Sequence, residues 1–336
     1  MAKGQIFGTT GDGEDIHRVE IAAGGLRARI MEWGAVIQDL RLDGHEAPLV
    51  LGFDSFADYP EHSPHFGAVP GRFANRIANG RFTLDGERFD TDRNQEGKLT
   101  LHGGAHGFSK RAWKILEAGD DFVALGLRSL DGDMGFPGTL EARCEYRVRS
   151  NGALSIELTA QTDRPTLCNL TNHSYFNLDD GGAGNVLDHR LTIAAAAYLP
   201  NDDDALPTGI VQPVDGTPFD FRLARTIRSA GEQVLYDNNF CLAAGPTPLR
   251  QAAWAQGATT GIEMEMWTTE PGVQLYIGQK LKPAMPKGLE GIQYRPFSGF
   301  CLEAQLWPDA PNRPYFPQAV LRPGETYRHV TEYRFR

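Results

Sequence analysis

Leu154-Ser155-Ile156-Glu157-Leu158-Thr159-Ala160-Gln161-Thr162 alternates apolar and polar side chains, with Leu154, Ile156, Leu158 and Ala160 on one face. A period of two marks a β-strand with one face buried and the other polar. Short runs with the same alternation recur at residues 19–21, 26–30, 122–127, 262–266 and 273–277. Between them stand 38 glycines and 21 prolines, with turn pairs at Asp43-Gly44, Asp85-Gly86, Asp131-Gly132, Asn151-Gly152 and Asp215-Gly216. Asp85-Gly86 lies between two strand-like runs and predicts a hairpin. Many short strands closed by turns predict an all-β sandwich or barrel. No helical period is sustained; short helical turns are expected at residues 55–59, 223–229 and 248–255. No repeat, linker or low-complexity tract divides the chain, so residues 1–336 are expected to form a single domain.

Composition narrows the function. The 336 residues are 41% hydrophobic, with a formal net charge of -10 and a pI of about 5.4. Such an acidic chain is poorly suited to nucleic acid, though a local basic pocket is compatible with it. No apolar run approaches the length that spans a membrane, and residues 1–13 hold one lysine and no apolar segment, unlike a signal peptide. A cytoplasmic location follows as an expectation. The four cysteines, Cys144, Cys168, Cys241 and Cys301, form no Cys-x-x-Cys pair. Apolar neighbours flank Cys241 and Cys301, and the set reads as buried thiols in a reducing compartment.

Downstream of the opening strand, Thr171-Asn172-His173-Ser174-Tyr175-Phe176-Asn177 concentrates an imidazole, a hydroxyl and carboxamides. It is expected at a strand end or a turn beyond it, where His173 is either a hydrogen-bonded structural group or a chemical one. Four more polar clusters stand out. Residues 71–82 place Arg72, Asn75, Arg76, Asn79 and Arg81 among glycines, as a solvated loop or an anion site without a Walker or dinucleotide spacing. Leu101-His102-Gly103-Gly104-Ala105-His106-Gly107-Phe108 is a glycine-rich loop, so the His102/His106 spacing is weak evidence for a metal. Tyr236-Asp237-Asn238-Asn239-Phe240 is the fourth. The fifth, residues 300–312, embeds Glu303 in an apolar run, where a carboxylate is either paired in the core or working at a site. Residues 201–204 read as a solvated turn rather than a calcium loop. Glu61, His62 and His65 read as an ordinary exposed loop. No Gly-x-Ser-x-Gly elbow anchors a serine hydrolase.

Taken in their order along the chain, the five clusters resemble the aldose 1-epimerase (galactose mutarotase) family. The resemblance runs over roughly residues 4–335. It is carried by GRFANRIANGRF from Gly71, LHGG from Leu101, NLTNHSYFNL from Asn169, YLP from Tyr198, PTG from Pro207, FD from Phe219, DNNFCL from Asp237, PGVQLYIG from Pro271, FCLEAQLWPDAPN from Phe300, FP from Phe316 and LRPGETY from Leu321. It implies a large antiparallel β-sandwich (the galactose mutarotase-like supersandwich) with few short helices. It also implies interconversion of the α and β anomers of a free aldose without cofactor or metal. By this resemblance His173 is the general acid and Glu303 the general base. Asn75, Arg76, His102, Asp237 and Gln274 hold the sugar, with His102 open to a second role as an acid. The chain departs from the family's frequent histidine at Asn238 and its frequent glutamate at Ile210, neither a proton-transfer position.

Mutarotation opens a cyclic hemiacetal and recloses it on the other face, so it needs one base and one acid, expected on opposite sides of the substrate. An ordinary histidine pKa near 6.5 would let a charged His173 and an ionised Glu303 coexist around neutral pH. Tyr175, Phe176, Phe297 or Trp307 are candidates for the sugar's apolar face. Three alternatives make distinct demands. A non-catalytic sugar-binding protein would lack His173 or Glu303. A metal enzyme would use His102, His106 and His173. A sugar-phosphate enzyme would need Arg72 or Arg81 beside Arg76. The expected partner is a free monosaccharide, and the expected assembly a monomer or weak homodimer.

Overall fold

The alternating runs become ladders in the computed structural model, which describes residues 4–336. Leu154, Ile156, Leu158 and Ala160 are each no more than 2% exposed, on the Ala153–Thr162 strand. That strand sits inside a nine-stranded sheet. In spatial order the sheet runs Arg225–Thr226, Arg190–Ile193, Arg250–Gln256, Glu263–Thr268, Tyr327–Phe335, Ala153–Thr162, Leu140–Arg149, Phe122–Ser129 and Lys114–Ala118. A five-stranded sheet consists of Gln212–Pro213, Ala197–Tyr198, Asp237–Cys241, Gly272–Tyr276 and Cys301–Gln305. A four-stranded meander occupies the N-terminal part, from Gln5–Thr9 to Ile37–Leu42. Every ladder among the described residues is antiparallel.

The sheets share one apolar core. Ile156, Leu158, Met264 and Met266 of the larger sheet belong to the same buried cluster as Phe240, Val273, Leu275, Leu302 and Ala304 of the five-stranded one. Tyr333 of the larger sheet donates its hydroxyl to the Leu302 carbonyl at 3.0 Å, fixing the stack. Each fully buried aliphatic side chain contributes about 1.5–3 kcal/mol.

Asp85-Gly86 closes the expected hairpin, with Leu84 opposite Glu87. The helical expectations fare differently. A short helix occurs at Asp58–His62, shifted toward the C-terminus of its predicted place. Residues 223–229 hold the short strand Arg225–Thr226, and residues 248–255 enter the Arg250–Gln256 strand. The latter is paired on both sides, with Arg190–Ile193 and Glu263–Thr268, and this pairing overrides its helix-favouring composition.

Candidate active site

In an antiparallel ladder, residues directly opposite share a face, and alternate residues along a strand share it too. Asn239 faces Gln274, Gln274 faces Glu303, and Asp237 faces Tyr276, which faces Cys301. One side of the five-stranded sheet therefore carries Asp237, Asn239, Gln274, Tyr276, Cys301, Glu303 and Gln305. The other side carries Phe240, Val273, Leu275, Leu302 and Ala304 into the core. The apolar run around Glu303 is thus a core strand whose alternate residues build a polar floor.

Above that floor lies the Thr171–Asn177 stretch. It is neither strand end nor exposed turn but an extended buried segment. Phe176 bridges to Val50 and Phe300, and Asn169 bridges to Phe73. His173 donates its backbone N–H to Ala68 at 2.8 Å and accepts from Gly67 at 3.1 Å. Asn172 donates to the Gly67 carbonyl at 3.1 Å, and Ser174 donates its hydroxyl to Asn172 at 2.7 Å. Gly67 cannot be replaced cheaply: φ is +63°, and an added Cβ would lie 2.2 Å from the Ile37 carbonyl oxygen.

His173 Nε2 lies 3.6 Å from Glu303 Oε2, with both side chains buried. They sit side by side rather than across an open cleft. His173 Nδ1 is 3.5 Å from Cys301 Sγ, and the imidazole stacks on Tyr175 at 5.1 Å and 13°. Glu303 Oε2 is buried with no hydrogen-bond partner, a costly state that a ligand hydroxyl would relieve. Burial pushes the Glu303 carboxyl well above the usual carboxylate range, with Asp237 adding to the rise and Arg76 opposing it. Burial also pushes the His173 imidazole down to about 4, against its own backbone hydrogen bond and Asp237. An ordinary histidine value near neutrality therefore does not apply here, because losing water penalises the imidazolium.

The remaining expected site residues converge on this pair. Arg76 Nη2 donates to Asp237 at 3.2 Å, and Gln274 Nε2 donates to the other oxygen of Asp237 at 2.8 Å. Asn75, at φ +64°, accepts the Arg76 N–H on its side chain at 3.0 Å. His102, at φ +52°, is buried on its glycine loop and packs against the His173 ring with centroids 5.3 Å apart. A cavity of about 690 Å³ opens beside Asp237, bordered by Tyr198, Asn201, Phe219, Leu235 and Phe297.

Other candidates separate from the site. Arg72 is 2% exposed and saturated by Ser129, Leu130, Pro137 and Gly138, while Arg81 pairs with Asp90 on the surface. Neither adds a basic group for a phosphate, and the loop around Arg72 and Arg76 is not solvated. Phe176 packs with Phe300 and Tyr333, and Trp307 with Phe316, leaving Tyr175 beside the chemistry and Phe297 at the cavity. Asn238 turns from the polar floor to donate to the Leu199 carbonyl at 3.0 Å, and Ile210 is exposed. His65, expected in an ordinary exposed loop, is instead half-buried with its ring 4.7 Å from that of His102. The Cys301 contact becomes legible only once Cys301 and Glu303 are recognised as sharing a strand face.

His102, His173 and Glu303 each offer one potential metal-ligand atom, all within 4.8 Å of one another. His102 does not suit that use. Its Nδ1 accepts the Asn75 N–H at 3.1 Å, which leaves the neutral ring's proton on Nε2. A ligating imidazole presents a lone pair to the metal and donates from its other nitrogen. His106 is exposed and outside the group, so the two loop histidines are not brought together.

An antiparallel sandwich bearing a buried carboxyl–imidazole pair, ringed by planar hydrogen-bonding groups, defines a protein equipped for proton transfer on a small polar ligand. More specifically, the chain belongs to the aldose 1-epimerase family, whose sequence model matches residues 17–334. Galactose mutarotase from Rattus norvegicus is 41% identical over 340 residues, covering 98% of this chain and 97% of that protein. Aldose 1-epimerase from Escherichia coli K12 is 40% identical over 323 residues, covering 93% and 92%. The crystal structure of an aldose epimerase homologue from C. elegans superposes with a TM-score of 0.88 at 32% identity, covering 96% of this chain and 99% of that one.

Proposed function

We propose that this protein is an aldose 1-epimerase, an isomerase that interconverts the α and β anomers of a free aldose such as glucose or galactose. The observation that carries the reading is the unpartnered Glu303 Oε2, 3.6 Å from His173 Nε2. The anomeric and ring oxygens share one carbon, so groups serving them have to be neighbours. Glu303 takes the proton from the anomeric hydroxyl while His173 Nε2 gives one to the ring oxygen. The bond from the anomeric carbon to the ring oxygen breaks with its electron pair going to that oxygen, and the aldehyde forms. Rotation about the adjacent carbon–carbon bond and the reverse transfers close the other anomer.

One proton serves the pair throughout. Ring opening starts from the arrangement with the proton on His173, which burial disfavours; with the open aldehyde bound it sits on Glu303, leaving both groups uncharged. Burial favours the uncharged arrangement, lowering the cost of the ring-opened intermediate. Each proton transfer contributes on the order of a hundredfold or more. His102, protonated at Nε2 by its bond to Asn75, serves as a hydrogen-bond donor to a sugar oxygen. Asn75, Arg76, Asp237 and Gln274 hold hydroxyls. The chain acts as a single domain, as a monomer or weak homodimer, and its four free thiols suit the cytoplasm. Among the described residues no helix is long and apolar enough to cross a membrane.

The test is polarimetry of freshly dissolved α-glucose, α-galactose and a pentose. Accelerated decay of rotation to equilibrium is expected for at least one sugar. No acceleration with any of them would overturn the proposal.

A further inference from the structure

A third imidazole borders the reaction site. The His65 ring stacks on His173, with centroids 5.7 Å apart and planes 20° apart, and lies against His102. Tyr175 provides the other near-parallel ring. His65 is itself fixed, its Nδ1 lying 3.0 Å from the Ser109 hydroxyl. Its backbone adopts φ +73°, a left-handed conformation that costs a residue with a Cβ of order 1–2 kcal/mol. The turn tolerates this because it is tied down. Ala68 donates to the His65 carbonyl at 3.1 Å, Gly67 donates to the His173 carbonyl at 3.1 Å, and His173 donates back to Ala68 at 2.8 Å. The turn that presents the His65 ring is therefore the one that registers the His173 backbone.

We infer that His65 is a positioning residue for His173, its clamped ring keeping the His173 imidazole in the plane that aims Nε2 at Glu303 and at a sugar oxygen entering between them. Without a ring at position 65, His173 keeps Tyr175 and Cys301 but loses one of its two parallel neighbours. A proton donor displaced by about an ångström loses rate far more than it loses binding, because the sugar's hydroxyls are held by other groups. The two rings lie near-parallel, so an aromatic plane is what the position requires. Phenylalanine satisfies that requirement and glutamine does not.

This inference rests on His173 being the acid. The experiment compares His65→Ala, His65→Gln and His65→Phe with the parent. Polarimetric kcat and KM are measured, with thermal unfolding to verify folding, and nitrogen-15 NMR of the His173 ring is recorded without sugar. In the Ala and Gln variants kcat is expected to fall about ten- to a hundredfold with KM within about twofold, while Phe restores most of it. The His173 ring signals should move in Ala and Gln and return in Phe. Unchanged kcat in Ala, a defect confined to KM, or a Phe variant as impaired as Ala would overturn the assignment. If the parent itself accelerates no mutarotation, the proposed activity fails alone. The ring signals still decide the positioning, and identical signals in parent and Ala would overturn it.

Discussion

Glu303 and His173 meet at 3.6 Å with both side chains buried, and the site's behaviour follows from that. Replacing either with glutamine keeps its approximate size and removes its proton chemistry. Glu303→Gln and His173→Gln should each lower kcat by about a hundredfold or more while unfolding as cooperatively as the parent. Full polarimetric activity in Glu303→Gln would remove the base assignment. The pH profile is a second check. Activity requires one proton on the pair, and a second proton must be forced onto an imidazole whose pKa burial has lowered to about 4. The acid limb of kcat/KM should therefore lie near that value, and a limb at an ordinary histidine value near 6.5 would contradict it. The raised Glu303 carboxyl places loss of the shared proton above the ordinary glutamate range. At this scale much of the site was legible: Asn75, Arg76, His102, His173, Asp237, Gln274 and Glu303 all converge. His65 was not, because nothing in Glu61-His62-Ser63-Pro64-His65 distinguishes a surface loop from a turn tied to a segment over a hundred residues away. The pKa shifts were not legible either, since desolvation depends on packing that no local pattern specifies.

At the scale of elements, strands that alternate cleanly were readable and strands that do not were misread. Pro248-Leu249-Arg250-Gln251-Ala252-Ala253-Trp254-Ala255 is made largely of good helix formers, yet it is a strand because ladders on both sides supply its hydrogen bonds. The Thr171–Asn177 stretch lies outside the named strands, yet its backbone is tied to residues 67 and 68. That tie can be broken at one point. Gly67→Ala places a Cβ at 2.2 Å from the Ile37 carbonyl oxygen and in a left-handed conformation. A destabilisation of at least about 2 kcal/mol in urea unfolding is expected, with lost activity in whatever fraction still folds. A variant as stable and active as the parent would show that the clamp is dispensable. Asn172 and Ser174 reinforce the tie, one bonding the Gly67 carbonyl and the other bonding Asn172.

For the whole molecule, one of the short connections between the two large sheets runs from Glu263–Thr268 to Gly272–Tyr276, and it contains a buried acid. Glu270 is 1% exposed, its Oε2 has no hydrogen-bond partner, and burial raises its pKa to about 8 against the pull of Arg250. Nothing in Thr268-Thr269-Glu270-Pro271 announced this, since a glutamate beside a proline reads as an exposed turn. The consequence is global because the group titrates differently in the two states. In the unfolded chain Glu270 ionises near the ordinary glutamate value, whereas in the folded chain it holds its proton until about pH 8. Between those values the folded state binds the extra proton, so raising the pH favours unfolding; above the folded value the loss levels off. The penalty at pH 8 relative to pH 5 is of order 3 kcal/mol. Glu270→Gln mimics the protonated acid and removes the titration. Urea unfolding of the parent should therefore show stability falling from pH 5 to pH 8, and the variant should lack that portion of the decline and exceed the parent at pH 8. Parallel curves for the two proteins would mean that Glu270 reaches water or a cationic partner in the folded state, and that the joint between the sheets carries no titrating charge.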